Sequence, residues 1–457
     1  MPVTKGATPQ YCIYFISIFI VVLMAALSLW LQQVDWQKNS HIPLGWITVF
    51  QYMLMAICML LAWYYGPKSN LLWDYRWLII AAVLARLLLL SVEPYSSNDI
   101  DRYLFDGKIA ISGFDPYRVS HDAPALQELR AIWMPPAEHA KYVTLYPPLA
   151  LGLFSLASSM GIEWAALVWK LLVTLAGLAI LWMMVLVLGR AKKLRHLALI
   201  ALSPLLILET GVGAHLDVFS ALTVCAAIYF WQTKRVYFCG LIIGIGALLK
   251  ILPLLMLVPL VFFSGKLRVA VRLISATLLT VVSGYSLAFL AGFHPIGSIG
   301  VFFQKWRNGS PVFNGLDAIL SESALAITLP LLAIFAVVLA AIWAWRTSSS
   351  DPNSIQYVKI LQWTLAIPLI LSPVVFPWYL LPLVPLVALS PNTFFLAWFI
   401  LFPFFYEVLN QFSCCGVWAP AQWPIYVLTI GMVLGLVADR LNVFDSLRVV
   451  KNHVEPS

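Results

Sequence analysis

Two carboxylates set two residues apart, Asp99 and Asp101, stand beside Arg102 and Tyr103 in a polar stretch that runs from residue 93 to 148 between apolar runs. Asp106, Gly107 and Lys108 come just behind, then Gly113, Phe114, Asp115, Pro116 and Tyr117, and the stretch closes on Tyr146, Pro147 and Pro148. An ionisable side chain at the centre of a spanning helix costs roughly 2.5–3.5 kcal/mol on insertion scales, so acids crowded against membrane-grade segments point to a use. A carboxylate held there can act as a general base toward a hydroxyl, and an adjacent cation can hold a phosphate leaving group. Further polar groups recur at later helix ends: Glu209, then His215 and Asp217; Lys250 before Pro253; Lys305, Trp306 and Arg307; and Ser372 and Pro373 through Trp378 and Tyr379. Each has a bland reading as well. The acids suit a solvated loop, Lys250 a snorkelling amine, and Trp378 and Tyr379 an interfacial belt.

The elements that must position these groups are membrane helices. Of 457 residues, 62% are hydrophobic and only 11% charged. Several apolar runs are long enough to cross a hydrocarbon core of roughly 30 Å at about 1.5 Å per residue. The runs are continuous and lack period-2 alternation, which excludes a transmembrane β-barrel. The expected fold is an all-α polytopic bundle of about 12–14 transmembrane helices in a single membrane domain over 1–457. Spans are expected at 12–32, 43–65, 71–92, 164–189, 197–210, 215–231, 236–250, 252–263, 268–291, 325–345, 357–373, 378–390, 393–409 and 424–438. The segment 236–263 can also be one long helix broken at Pro253.

The net charge of +8 sits in short loops between spans, where it sets topology and does not indicate nucleic acid. Lys5, Lys68 with Arg76, the run Arg190 to Arg195, Lys234 with Arg235, Lys266 with Arg268, Arg346 with Lys359, and Arg440 with Arg448 all fall on one side, read as cytoplasmic. Both termini are then cytoplasmic, with a first large outer loop at 93–163 and a second at 292–324. The apolar stretch 149–162 is too short to span and is read as an interfacial helix. The first helix is expected to stay as an anchor, since no cleavable leader pattern is present. No cytoplasmic loop is large enough for a nucleotide-binding fold. Cys58, Cys225 and Cys239 read as apolar packing, and Cys414 with Cys415 as an external pair. A bridge between adjacent cysteines is strained and uncommon, so no redox role is read into that pair.

Taken in order, these motifs resemble the GT-C superfamily of polyprenyl-phosphate-sugar-dependent glycosyltransferases. The similarity is greatest to the bacterial mannosyltransferase-like branch around glycosyltransferase family 87. It rests on Asn98 to Gly107 and Gly113 to Tyr117, on Tyr146 to Leu149, on His215 with Asp217, on Lys250 with Pro253, and on Ser372 through Tyr379, and it covers residues 90–390. The resemblance implies Asp99 as general base, with Asp101 its catalytic partner or a second acid for a divalent cation, Mg or Mn. Arg102, Lys250, Arg307 and His215 would hold the donor phosphate, and Tyr103, Asp106, Tyr117, Tyr146, Asp217, Trp378 and Tyr379 would line the substrate site. Asp101 is a departure, because bacterial relatives often carry an uncharged residue there, which leaves the metal question open.

A lone base without a paired nucleophilic carboxylate points to inversion by direct displacement. The expected reaction moves a hexose, mannose above all, from a polyprenyl-phosphate donor to a lipid or glycan acceptor. It would take place at the outer face of a bacterial cytoplasmic membrane, among membrane lipids. Two other classes compete. A transporter or flippase of lipid-linked sugar would put ionisable groups at the midplane, as Arg86 and Lys170 suggest, and would show repeats, which are absent. A surface-polysaccharide polymerase or ligase would carry a large, late basic outer loop, and here the first loop dominates.

Overall fold

The structure is a computed structural model and describes residues 9–34, 42–298, 300, 306–348 and 354–441. It is 76% helix, with no strands among the described residues. A single isolated bridge joins Asn308 to Val374 among the described residues. Among the described residues, eight helices are long and apolar enough to cross a membrane: α1 (Pro9–Leu31), α2 (Leu44–Tyr65), α6 (Ile162–Arg190), α7 (Leu194–Gly211), α11 (Leu267–Leu290), α12 (Glu322–Arg346), α15 (Thr393–Ser413) and α16 (Trp423–Arg440). Five of the other expected spans are shorter apolar helices: α8 (Asp217–Gln232), α9 (Val236–Leu249), α10 (Leu252–Phe263), α13 (Gln356–Leu371) and α14 (Pro377–Leu389). The stretch expected at 71–92 is α3 (Arg76–Leu88), with a 3-10 turn on either side. The protein is a multi-pass membrane protein. The positions Lys5, Lys305 and Arg448 lie outside the described residues.

Helices are the economical answer to an apolar medium, because each backbone N–H and C=O finds its partner within the segment. Their ends follow local chemistry. Pro204 and Pro377 occupy first-turn positions where no N–H partner is needed. The side chains of Ser203, Ser321 and Asn392 accept bonds from the backbone N–H groups of Leu206, Ala324 and Phe395. The long apolar run 236–263 is interrupted at Lys250 and Ile251, just ahead of Pro253. Lys250 is extended there, at φ −157° and ψ 141°. Gly240 and Gly244 let α9 lie backbone-close on α11, since a Cβ at Gly240 would come within 2.5 Å of the Leu273 carbonyl oxygen.

The polar segment 93–163 folds over one end of this bundle. Its main helix, α4 (Asp99–Ile111), packs on α5 (Pro148–Ser158), the stretch read as interfacial. A Cβ at Gly107 would lie 2.3 Å from the Phe154 backbone, so the two helices touch at a contact only glycine permits. Asp106 and His121, both buried, pair at 2.7 Å and tie α4 to the loop behind it. Residues 292–298 clasp the same segment. The His294 backbone N–H and Nδ1 both reach Asp115 Oδ2, at 3.0 and 2.8 Å, and Ser298 donates to the Val143 carbonyl.

The two cations found within helices prove to be braces. Arg86 donates to the carbonyls of Ala82, Ala201 and Ile200, and Lys170 to those of Leu89 and Val92. Lys170 satisfies carbonyls left open past the end of α3, and Arg86 ties α3 to α7. Cys58, Cys225 and Cys239 are buried free thiols, as expected, and Cys415 is held in a disulfide.

Candidate functional site

The first turn of α4 and the breaks between helices meet around a cavity of about 320 Å³. Its wall takes Asp99 and Arg102 from α4, Glu138, His139 and Tyr146 from the polar segment, and Lys250 from the α9–α10 break. Trp306 and the aromatic run Phe376, Trp378 and Tyr379 line it as well. A polar floor with aromatic walls suits a ligand that carries both an anion and a hydroxylated ring.

Asp99 is a partly buried acid on the cavity wall. Its Oδ2 lies 3.4 Å from His215 Nδ1, and Tyr103 Oη donates to it at 3.4 Å. Burial by itself raises the Asp99 carboxyl, but the facing His215 ring, with His139 and Arg102 behind it, outweighs burial and brings the group down to about 2. Asp99 is therefore ionised at neutral pH. Behind it, His215 stacks on Trp378 with ring centroids 3.8 Å apart, and its Nε2 lies 3.4 Å from Glu209 Oε2. The turn that presents His215 carries Ala214 at φ 51°, a left-handed conformation rarely adopted by an alanine. It is held there by Trp169 Nε1, which donates to the Ala214 carbonyl at 2.8 Å. Strain of this kind persists where the surroundings fix it, and here it fixes the ring facing Asp99.

Two cations face the same space. Arg102 is buried, with Cζ 5.6 Å over the Tyr146 ring and Nη1 3.4 Å from His139 Nδ1. Burial and the Arg102 charge push the His139 imidazole down to about 4, so the ring is neutral at pH 7 and can accept at Nδ1. Lys250 Nζ bonds Asp217 Oδ1 at 2.5 Å and sits 4.0 Å over the Tyr379 ring. The extended backbone at the helix break lets this amine turn into the cavity while Asp217 stays buried behind it.

Most of the expected site residues fall into two sets. Asp99, Arg102, Lys250, Tyr146, Trp378 and Tyr379 come together on the cavity wall. Tyr103, His215 and Asp217 stand one layer back, buried, each bearing on a wall residue. Tyr117 does the same by donating to the Tyr146 carbonyl at 2.8 Å. Asp106 points away to His121. Arg307 is exposed, with its guanidinium over the Phe313 ring at 4.8 Å.

Asp101 is exposed and lies off the cavity wall. Two residues apart on a helix means about 200° of rotation, so Asp99 and Asp101 cannot face one ion. Among the described residues no cluster of three or more His, Cys, Asp or Glu side chains could hold a metal. Sequence reasoning missed Glu138 and His139. Asn98 Nδ2 donates to Glu138 Oε1 at 2.6 Å, which draws that carboxylate to the rim beside Asp99.

The helical bundle defines a multi-pass membrane protein, with its polar cavity at one end of the helices. Residues 3–265, more than half of the chain, match the MptA_B family model, described as alpha-(1->6)-mannopyranosyltransferase, N-terminal domain. The chain belongs to that family and is a mannosyltransferase-type glycosyltransferase with a GT-C-like assignment. No curated protein and no solved structure gives a significant match. The matched region contains Asp99, Arg102, His215 and Lys250, whereas Trp378 and Tyr379 lie beyond it.

Proposed function

We propose that the protein transfers mannose from a polyprenyl-phosphate donor to a hydroxyl of a lipid or glycan acceptor, with inversion at the anomeric carbon. The observation that carries this reading is the placement of the Asp99 carboxylate and two cations, Arg102 and Lys250, on a single cavity wall at one end of the helices. In the reaction the acceptor oxygen bonds to the anomeric carbon. The bond to the phosphate oxygen breaks with its electron pair on the phosphate, and the hydroxyl proton passes to Asp99. Arg102 and Lys250 neutralise the leaving phosphate, which needs charge compensation more than it needs a proton.

A carboxyl near pH 2 is a weak base in the resting site. Donor phosphate seated on the cations offsets the charges that hold Asp99 down and lifts its basicity when the acceptor is present. Trp378, Tyr379 and Trp306 offer ring faces for the sugar and the first isoprene units. The family's description names an α-(1→6) linkage. Carried to this chain, it makes the acceptor group a primary hydroxyl, and inversion then requires a β-linked donor.

The basic loops support a cavity on the outer side of a bacterial cytoplasmic membrane, where a lipid-linked donor arrives laterally and nucleotide sugars do not. The deciding assay supplies purified protein with membrane lipid extract and either radiolabelled polyprenyl-phosphomannose or labelled GDP-mannose. Label is expected in a product from the lipid-linked donor alone, and transfer from GDP-mannose would contradict the reading.

A further inference from the structure

We infer that Glu209, anchored by Tyr52 and Tyr406, is a positioning residue for Asp99 that acts through His215. This rests on Asp99 serving as the base under the proposed function.

Glu209 is fully buried and off the cavity wall, so it touches no substrate. Removing a carboxylate from water is costly, and packing alone at this place would be met by an apolar side chain. Three partners account for the acid. Tyr52 Oη donates to Glu209 Oε1 at 2.7 Å, and Tyr406 Oη approaches both oxygens, at 2.8 and 2.9 Å. Glu209 Oε2 also lies 3.4 Å from His215 Nε2. Tyr52 belongs to α2, Glu209 to α7 and Tyr406 to α15, so three helices distant in sequence converge on this carboxylate. The backbone repeats the coupling, because the His215 N–H donates to the Glu209 carbonyl at 3.1 Å.

The imidazole thus stands between two carboxylates, its Nδ1 toward Asp99 and its Nε2 toward Glu209, each at 3.4 Å. Neither ring nitrogen completes a hydrogen bond among the described residues, so the two carboxylates hold the ring as ion-pair contacts. Trp378 covers the ring face, and the strained turn at Ala214 fixes its height. With the ring plane and both edges set, the Asp99 oxygen facing His215 is fixed and the other is left for the acceptor hydroxyl. Glu209 exchanges no atom in the step. It holds the group that holds the base, and outer-layer partners of this kind typically contribute about 10–100-fold to activity at the sites they support.

The test uses the full-length protein in detergent with radiolabelled polyprenyl-phosphomannose and membrane lipid extract, comparing wild type, Asp99→Asn, Glu209→Gln and the double variant. Glu209→Gln is expected to lower kcat by about 10–100-fold with donor KM changed by less than about threefold. In the Asp99→Asn background the same change should cost nothing further, because the residue it positions is gone. Tyr406→Phe keeps the carboxylate and removes one anchor, and a kcat loss of about threefold to tenfold with unchanged KM is expected even if Glu209→Gln does not fold. The inference is overturned by wild-type kcat in Tyr406→Phe and in any folded Glu209→Gln, or by a Glu209→Gln loss that multiplies in full onto Asp99→Asn. Those results leave the proposed function standing if Asp99→Asn alone is inactive. Equal activity of wild type and Asp99→Asn overturns both.

Discussion

Asp99→Asn is expected to lower kcat by about 10²–10⁴-fold, the range in which general bases contribute, with little change in donor KM. The substitution preserves shape. Asn can still accept from Tyr103 Oη, and its amide can face the His215 ring, so the α4 turn has no reason to shift. What is lost is the ionised oxygen that takes the acceptor proton. Asp101→Asn is the internal comparison. That side chain is exposed on the other side of α4, and its replacement should alter kcat by no more than about twofold, the size expected of a surface change. Steady-state kinetics of the two variants in one detergent preparation check both expectations. A large loss in Asp101→Asn would restore the paired-acid reading that the sequence suggests.

Removing Lys250 should have the second largest effect, and it acts twice. Its amine faces the cavity, so Lys250→Ala deletes one of the two charges proposed to hold the donor phosphate, and kcat/KM should fall by about 10²-fold or more. The same substitution leaves Asp217 buried without its partner. Breaking a buried pair costs roughly 3–5 kcal/mol, and the lower end applies here because the lysine is 24% exposed. The variant should therefore also unfold at lower temperature. The double variant Lys250→Ala/Asp217→Ala separates the two roles, since it removes the orphaned acid and should recover most of the lost thermal stability without recovering transfer. Recovery of activity in the double variant would show that Lys250 serves only to neutralise Asp217.

Much of this site was legible because polarity is conspicuous in an apolar chain. Asp99, Arg102, Lys250 and Tyr146 each stand beside a helix end, and their convergence follows once the helices pack. Periodicity explains part of the rest. Residues 99–111 form a helix, and a spacing of two on a helix sends Asp101 away from Asp99, a consequence available only after that segment is assigned as helical. His215 reads as a ligand residue in sequence. Its burial beneath Trp378, 163 positions later, depends on long-range packing that no local pattern encodes.

Glu138 and His139 went unnoticed for the opposite reason, because an acid and a histidine in a polar loop carry no signal. The membrane architecture was readable in outline from hydropathy. The break in 236–263 was readable as well, since spans at 236–250 and 252–263 put it at residue 251 and the helix yields at Lys250 and Ile251.

The presence of Glu138 on the same wall as Asp99 makes stereochemistry the sharpest test of a site with a single base. A retaining enzyme needs a second carboxylate as nucleophile, and Glu138 is the group placed to be one. The decisive measurement is the anomeric configuration of the product, read by NMR from a transfer reaction run with β-linked polyprenyl-phosphomannose. An α-linked mannoside is predicted, formed by direct displacement with Asp99 as base. A β-linked product would contradict that account and move the chemistry to a covalent intermediate on Glu138.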